Sequence, residues 1–161
     1  MSTDPPLALR ALRRDDAEHV RALVIREIAN APHCRGALST LDAALAEPGD
    51  EYRALAAMDG ERIVGIAVFG VTAGTEGAGR LHLVAVAGGS RRRRIGTSLV
   101  EATVDALRAD GSRFVMVEIP DEPSLAAAKA LLARSGFALE AKVPDYFRDG
   151  VPLTILRRSL R

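Results

Sequence analysis

The stretch that decides the fold is residues 81–104, which read LHLVAVAGGSRRRRIGTSLVEATV. The first six residues are apolar except for His82, and such a run predicts a buried strand. A turn of glycine, serine and arginine residues follows, and Leu99, Val100 and Thr103 then recur at the spacing of one helical face. The stretch therefore predicts a strand, a tight turn and the N-terminus of a helix.

The start of that helix suits a phosphate-bearing ligand. Unpaired backbone N–H groups and the positive end of the helix dipole bind phosphate oxygens there. Gly96 lets the backbone approach a ligand closely, and the arginines of the run 91–94 add positive charge. The glycine motifs of P-loop and dinucleotide-binding proteins, and the nucleophile elbow of hydrolases, are absent from the sequence. A solvated corner or a nucleic-acid contact stays open as an alternative for the arginine run.

The remaining elements follow from alternation, helical spacing and turn residues. Before residues 81–104 they are a strand over 7–11, a helix over 15–29, and a shorter helix from the cap-like pair Ser39 and Asp42 to about Glu47. Strands over 52–57 and 63–69 then flank the hairpin signal Asp59-Gly60, and a loop over 70–79 follows. After residues 81–104 come a strand over 114–119, a helix over 124–135, and strands over 137–142 and 151–158 around a loop over 145–150. With residues 81–104 in place, the order β-α-α-β-β-β-α-β-α-β-β predicts a mixed α/β sandwich of about seven strands and four helices.

Length and composition narrow the class of protein. The 161 residues fit a single domain over 1–161, with 48% hydrophobic and 27% charged residues as in ordinary globular proteins. No apolar run is long enough for a membrane span, so we expect no membrane and a cytoplasmic location. A net charge of +1 and only 4% aromatic residues argue against a nucleic-acid partner. The lone cysteine, Cys34, excludes a disulfide framework, and Cys34 with its neighbour His33 cannot enclose a metal ion, so we expect no metal site.

The arginine turn resembles motif A of the GNAT superfamily of acetyl-CoA-dependent N-acetyltransferases. That motif has Arg or Gln, two free positions, Gly, one free position, and Gly or Ala; Arg91 and Gly96 match its ends. Weaker similarities follow in the family's order at Leu9-Arg10 with 15–17, at Asp59-Gly60-Glu61 with Val64-Gly65, at Gly136-Phe137, and over 143–160. The resemblance implies a GNAT-like three-layer sandwich that binds acetyl-CoA as co-substrate and transfers acetyl to a primary amine by direct attack.

The resemblance also implies which residues bind acetyl-CoA. The pantetheine arm would lie along the strand 84–86, where a backbone N–H, from Val86 or a close neighbour, would polarise the thioester carbonyl. The cofactor-binding residues implied in this way are Val84, Val86, Arg91, Arg92, Arg93, Arg94, Ile95, Gly96 and Thr97.

Three positions depart from the family pattern. Arg94 stands at the family's first glycine, and a side chain there requires a negative φ. Leu132 replaces the tyrosine that is assigned as general acid to the departing thiolate, and Leu125 replaces an asparagine. These departures are compatible with the predicted fold and with acetyl-CoA as co-substrate, whereas the family's usual general acid is missing.

The catalytic candidates are Glu118, at the end of an apolar strand, and Tyr146, where related proteins place an acceptor-facing loop. Glu118 would serve as a base and Tyr146 as an acid or as a residue that lines the acceptor site; a charge at the rim of the sheet and a packing tyrosine are the structural alternatives. His82 could also be a base, although a satisfied, half-buried histidine is the more common reading.

The acceptor is expected to be a small-molecule or peptide amine. An α-amine is favoured over a lysine-like amine, because roughly one α-amine in ten is neutral at pH 7. A CoA-binding module without turnover and a nucleic-acid-binding protein that uses the run 91–94 are the alternative functions, and a homodimer is compatible with any of them.

Overall fold

The computed structural model describes residues 7–161, with the backbone alone at 91–93. The strands are β1 (Ala8–Ala11), β2 (Arg53–Asp59), β3 (Arg62–Val71), β4 (Ala78–Val86), β5 (Phe114–Pro120), β6 (Ala138–Arg148) and β7 (Val151–Ser159). The helices are α1 (Ala17–Ile28), α2 (Cys34–Ala46), α3 (Ile95–Ala109) and α4 (Ala126–Arg134). The strands form one sheet in the order β1-β2-β3-β4-β5-β7-β6, in which β4 and β5 are parallel and all other neighbours are antiparallel.

Two apolar cores lie on opposite faces of this sheet. On one face, α3 and α4 pack through residues such as Leu99, Leu107 and Leu132. On the other face, α1 and α2 pack through Val24 and Leu41 among others. The result is helix, sheet and helix in three layers, which confirms the predicted α/β sandwich. Within the described part of the chain, none of the helices combines the length and the apolarity needed to cross a membrane.

The hairpin and the order of elements are confirmed, but the predicted start of α2 is wrong. The helix begins at Cys34, so Ser39 and Asp42 lie inside it rather than at a cap. Its buried stripe is Ala37, Leu41 and Ala44, and this stripe already starts in the first turn. The Asp42 carboxylate forms an ion pair with Arg21 of α1. It therefore connects two helices instead of capping one.

The predicted loop over 145–150 is wrong in extent, because β6 continues to Arg148. Between the pairs Val143 with Leu153 and Arg148 with Val151, the four residues 144–147 bulge out of the ladder. Asp145 has a φ of 54°, and its Oδ1 accepts a hydrogen bond from the Gly150 N–H at 2.8 Å. Aspartate tolerates this left-handed backbone because its short polar side chain can bond locally.

Candidate functional site

A gap opens between the parallel strands β4 and β5. The two strands pair only over 78–80 and 114–116; β4 then continues over 81–86 and β5 over 117–120 without pairing to each other. Both strands line the resulting cleft, which has a volume of about 600 Å³. The β4 backbone groups that face the gap have no strand partner there, so they can hydrogen-bond to the amide groups of an extended ligand.

A β-bulge at His82 exchanges the faces of β4 inside this cleft. Val68 pairs with Leu83 and Phe69 pairs with Leu81, so His82 is an extra residue on β4. Leu81 packs in the core beneath α3, whereas Leu83 packs in the core beneath α1 and α2. The two strand segments on either side of His82 therefore present their side chains with opposite phase.

Polar side chains collect on the α1 and α2 side of the gap. Glu118 of β5 pairs with Arg80 of β4, Oε2 to Nη2 2.6 Å, where the two strands separate. The His82 ring stacks on Tyr52 with ring centroids 4.9 Å apart. The His82 Nε2 and the Glu51 carbonyl oxygen are hydrogen-bonded at 3.2 Å. Because His82 and Glu118 both line the cleft, an imidazole and a carboxylate are available to a bound ligand.

The wide end of the cleft lies at the connection between β4 and α3. A 3-10 turn over Gly88–Arg93 leads into α3, and the Gly88 N–H donates to Glu27 Oε1 at 2.9 Å. Gly96 and Thr97, in the first turn of α3, line the cleft beside Arg94. The N-terminus of this 15-residue helix therefore borders the mouth of the gap, where its dipole favours an anionic group.

Arg94 contradicts the expectation of a negative φ at the family's first glycine. Its φ is 58° and its ψ is 28°, in the left-handed region. A non-glycine residue there costs about 1–2 kcal/mol. The Arg94 carbonyl accepts hydrogen bonds from the N–H of Ser98 at 3.0 Å and from its Oγ at 3.1 Å, at the start of α3.

Apolar side chains of α4 and of the turn before it form one wall of the cleft. Leu125, Leu131 and Leu132 line this wall, and Leu132 is 5% exposed and belongs to the core beneath α3. The positions at which the resemblance places an asparagine and a tyrosine therefore carry side chains that cannot donate a proton.

Ion pairs of Asp121 connect this wall to the sheet. Its carboxylate follows directly after β5 and pairs with Lys129 of α4 and with Lys142 of β6. The hydrogen bonds from these two lysines lower the pKa of Asp121 to about 2. The carboxylate therefore stays ionised at neutral pH and links β5, α4 and β6.

The predicted cofactor-binding residues fall into three groups. Val84, Val86, Arg94, Gly96 and Thr97 line the cleft. Ile95 is fully buried in the core beneath α3 and supports the site from behind. The side chains of Arg91, Arg92 and Arg93 lie outside the described residues.

Gly96 has a packing role that the sequence does not reveal. A Cβ atom at this position would lie 2.8 Å from Leu131 Cδ2 and 3.6 Å from Val86 Cγ2. The absence of a side chain therefore lets α3 and α4 approach each other beside the cleft, in addition to exposing the backbone.

Tyr146, the second catalytic candidate, does not line the cleft together with Glu118. It lies in the β6 bulge with 57% of its surface exposed, and its ring meets Phe147 edge to face at 5.0 Å. It is not among the described residues that line the cleft.

Sequence reasoning missed two cleft features. It dismissed His33 as a metal ligand but did not place it in the cleft, which it lines from the start of α2. Its Nδ1 is buried and has no hydrogen-bond partner among the described residues. Burial lowers the pKa of His33, and the charge of Glu122 opposes this effect. The second missed feature is the contact of Arg80 with Glu118, which depends on the pairing of two distant strands and has no local signal.

No set of three or more His, Cys, Asp or Glu side chains in the described part of the chain is arranged to hold a metal ion.

Comparison with known proteins identifies a family to which the chain is similar. The sequence model of the acetyltransferase (GNAT) family matches residues 13–137, which include all four helices, β2 to β5, and the cleft. A comparison with curated protein sequences finds no match.

Solved structures share the whole fold. A Desulfovibrio desulfuricans protein described as an acetyltransferase of the GNAT family superposes with a TM-score of 0.86 at 25% identity, covering 97% of this chain and 100% of that one. The ribosomal-protein-S18-alanine N-acetyltransferase of Escherichia coli gives 0.77 at 18% identity, covering 96% and 94%. A protein from Salmonella typhimurium, solved with its cofactor acetyl-CoA, gives 0.76 at 18% identity, covering 98% and 95%.

Proposed function

Since the chain belongs to the GNAT family of acetyltransferases, we propose that it transfers acetyl from acetyl-CoA to a primary amine, either a small molecule or an N-terminal α-amine. The observation that carries this proposal is the open gap between β4 and β5 with the N-terminus of α3 at its mouth. The gap joins an anion-binding end to a polar end that carries His82 and Glu118.

The residues of the gap fit acetyl-CoA. The β5-facing backbone groups of 81–86 lack strand partners, and such groups are costly to leave buried without hydrogen bonds. The pantetheine arm contains amide groups that can take the place of the missing strand. At the mouth, the start of α3 and the exposed guanidinium of Arg94 complement phosphate charge. When bound, acetyl-CoA supplies an acetyl thioester that an amine can attack.

Each part of the gap then has one task. A backbone N–H of β4 donates to the thioester carbonyl and stabilises the negative charge that develops on its oxygen. The Glu118 carboxylate, held by Arg80, attracts and orients the ammonium group of the acceptor. The apolar wall of Leu125 and Leu132 covers one side of the thioester.

No side chain of α4 donates a proton to the departing sulfur. Leu132 cannot protonate a thiolate, and Tyr146 lies outside the lining of the cleft. We therefore assign the proton of the departing thiol to solvent. This assignment suits a thiolate, whose conjugate acid has a pKa of about 8.5 and which is a stable leaving group near neutral pH.

A weakly basic acceptor suits this site. A lysine-like amine, with a pKa near 10.4, is neutral in roughly one molecule in a few thousand at pH 7, whereas an α-amine is neutral in roughly one in ten. We propose an α-amine or a comparably weak base as the acceptor. We propose the cytoplasm as the compartment, where an unpaired cysteine such as Cys34 stays reduced.

The experiment is the release of free CoA thiol from acetyl-CoA with a panel of amines that spans α-amines, alkyl amines and peptide N-termini. We expect turnover with at least one amine and higher kcat/KM for weakly basic amines. Acetyl-CoA binding without turnover would instead identify a binding module, which the loss of the tyrosine at Leu132 allows. Salt-dependent binding to DNA or RNA in place of acetyl-CoA binding would identify a nucleic-acid-binding protein.

A further inference from the structure

His82 stands at the closed end of the gap, where the acetyl group of a bound cofactor would arrive. The ladder between β4 and β5 ends at Arg80 and Met116, and His82 is the second residue of β4 beyond that point. Val86 and Gly96 mark the wide end, so a pantetheine arm that enters there points toward His82. At about 3.3 Å per residue, His82 lies roughly 13 Å along the strand from Val86.

His82 and Glu118 face each other across the gap. If the ladder continued in register beyond Arg80 and Met116, these two residues would be opposite one another. Glu118 sits between Val117 and Ile119, which pack beneath α3, so its side chain points to the opposite face. His82 points to the same face, because it stacks on Tyr52, which packs with the core beneath α1 and α2.

The surroundings of His82 fix its tautomer. Its Nε2 bonds to the Glu51 carbonyl oxygen, which can only accept a hydrogen bond, so Nε2 carries the hydrogen. In the neutral ring Nδ1 is then the acceptor, with its lone pair free of any hydrogen bond from the described residues. The stacking on Tyr52 holds the plane of the ring.

The surroundings of His82 favour the neutral ring. Burial lowers the pKa of His82; the hydrogen bond to the Glu51 carbonyl raises it, and the charge of Arg80 lowers it. Titratable side chains that contact the ring or line the same cleft include Tyr52 before β2, Glu118 of β5, Glu27 of α1 and His33 before α2. Glu118 is paired with Arg80, and Glu27 accepts a hydrogen bond from the Gly88 N–H.

We propose that His82 Nδ1 is the general base that removes the proton from the acceptor's ammonium group, an inference that rests on the proposed function. The neutral amine then forms a C–N bond to the thioester carbonyl carbon, and the C–S bond breaks. The thiolate takes up the second amine proton by way of solvent, and His82 returns the first proton to solvent. The products are the N-acetyl amine, CoA thiol and one released proton.

His82 is better placed for this role than the two other cleft groups. Glu118 is held in an ion pair by Arg80, so protonating it would break that contact. His33 also has an unpartnered Nδ1, but this atom is buried in the protein and not exposed to the gap. The bulge, by contrast, places His82 on β4 itself, the strand along which the thioester would lie.

The test compares kcat/KM for one reactive amine between about pH 5.5 and 8.5 in the wild type, in His82→Gln and in His19→Gln. Glutamine can keep the donor to the Glu51 carbonyl but has no acceptor at the Nδ1 position. His19→Gln is the matched control, because His19 is exposed on α1. Acetyl-CoA binding by calorimetry checks that each variant is folded with an intact cofactor site.

We expect His82→Gln to lower kcat/KM at pH 7.5 by about 100-fold or more, with an unchanged Kd for acetyl-CoA and no effect of His19→Gln. The ratio of wild type to His82→Gln should fall toward one at low pH, where His82 takes up a proton; the ionisation of the amine cancels in this ratio. If His82→Gln retains kcat/KM within about threefold, or if His33→Gln alone abolishes it, the inference is wrong.

A second measurement does not depend on turnover or on the variants. Nitrogen-15 NMR of the wild-type imidazoles should show His82 as the Nε2–H tautomer, and an Nδ1–H tautomer would overturn the proposal. If the wild type acetylates no amine at all, the proposed function fails and the inference falls with it. An active wild type with an equally active His82→Gln overturns the inference alone.

Discussion

Strand β4 has two neighbours, and its two sides behave differently. Toward β3 it pairs along its whole length, from Gly79 with Val71 to Val86 with Gly65, and only the bulge at His82 interrupts the register. Toward β5 it pairs over 78–80 and then separates. The first side joins the N-terminal half of the sheet into one unit, while the second leaves backbone groups and side chains free for a ligand. We call these the closed seam and the open seam.

The comparison shows how one strand can serve stability and binding together. Along the closed seam, every ladder hydrogen bond is made within the chain, so a substitution there disturbs the fold. Along the open seam, the missing partner is a ligand, so a substitution there should disturb binding more than folding. The following predictions test this division, beginning with the largest effect.

The largest effect is expected at Gly70, on the closed seam. A Cβ at this position would lie 2.0 Å from the Glu51 carbonyl oxygen and 2.3 Å from its carbon, and these backbone atoms cannot move aside cheaply. We expect Gly70→Val to lower the free energy of unfolding by roughly 3 kcal/mol, as measured by urea denaturation.

Gly36→Ala is the control for that substitution. Gly36 lies in α2, and its Cβ would meet nothing within 4 Å. Alanine should therefore raise the free energy of unfolding, by up to about 1 kcal/mol, through its higher helix propensity. Equal effects of the two variants would contradict the tight packing of Gly70 against residues 50–51.

The next effect is expected at Gly96, on the open seam. A valine there would push Leu131 toward the cleft, because the new Cβ would lie 2.8 Å from Leu131 Cδ2. We expect Gly96→Val to weaken acetyl-CoA binding at least tenfold, about 1.4 kcal/mol, by calorimetry. Unchanged affinity would show that the cofactor does not bind in this part of the cleft.

A smaller effect is expected from Arg94→Gly, at the mouth of the open seam. Glycine relieves the left-handed backbone of residue 94, so the free energy of unfolding should rise by up to about 1 kcal/mol. The same change removes a guanidinium that borders the cleft, and acetyl-CoA affinity should fall. A variant that is more stable and binds equally well would show that Arg94 does not contact the cofactor.

The smallest effect is expected from pH. Burial lowers the pKa of both His33 and His82, so the folded protein binds fewer protons than the unfolded chain below about pH 6.5. Stability from these two groups is fully present above that pH and is lost as pH falls through their folded pKa values. We expect the free energy of unfolding to fall less between about pH 7 and 5.5 in the double variant His33→Gln, His82→Gln than in the wild type. Identical pH slopes would contradict the burial of these rings.

The features that the sequence predicts are those with a local signal. The strand, turn and helix over 81–104 and the hairpin at Asp59-Gly60 are encoded by neighbouring residues, and the structure confirms both. The order of elements then restricts the topology, since parallel strands need a crossover such as α3. Five of the predicted cofactor residues line the cleft because they lie in this same continuous stretch.

Contacts between distant segments explain what the sequence does not predict. The bulge that orients His82 arises from its register with β3, and the partner of Glu118 is an arginine on another strand. The bulge of four residues in β6 that holds Tyr146 cannot be predicted from its turn-like composition. The left-handed backbone at Arg94 is not indicated by its residue type, since a non-glycine residue rarely adopts a positive φ.

Backbone amide chemical shifts, recorded with and without acetyl-CoA, test the open seam most directly. We expect the largest changes at 81–86 on β4, at 117–120 on β5 and at the start of α3, with small changes along β2. This pattern would place the cofactor in the vacant strand position between β4 and β5. Binding that leaves the shifts of 81–86 and 117–120 unchanged would contradict the account.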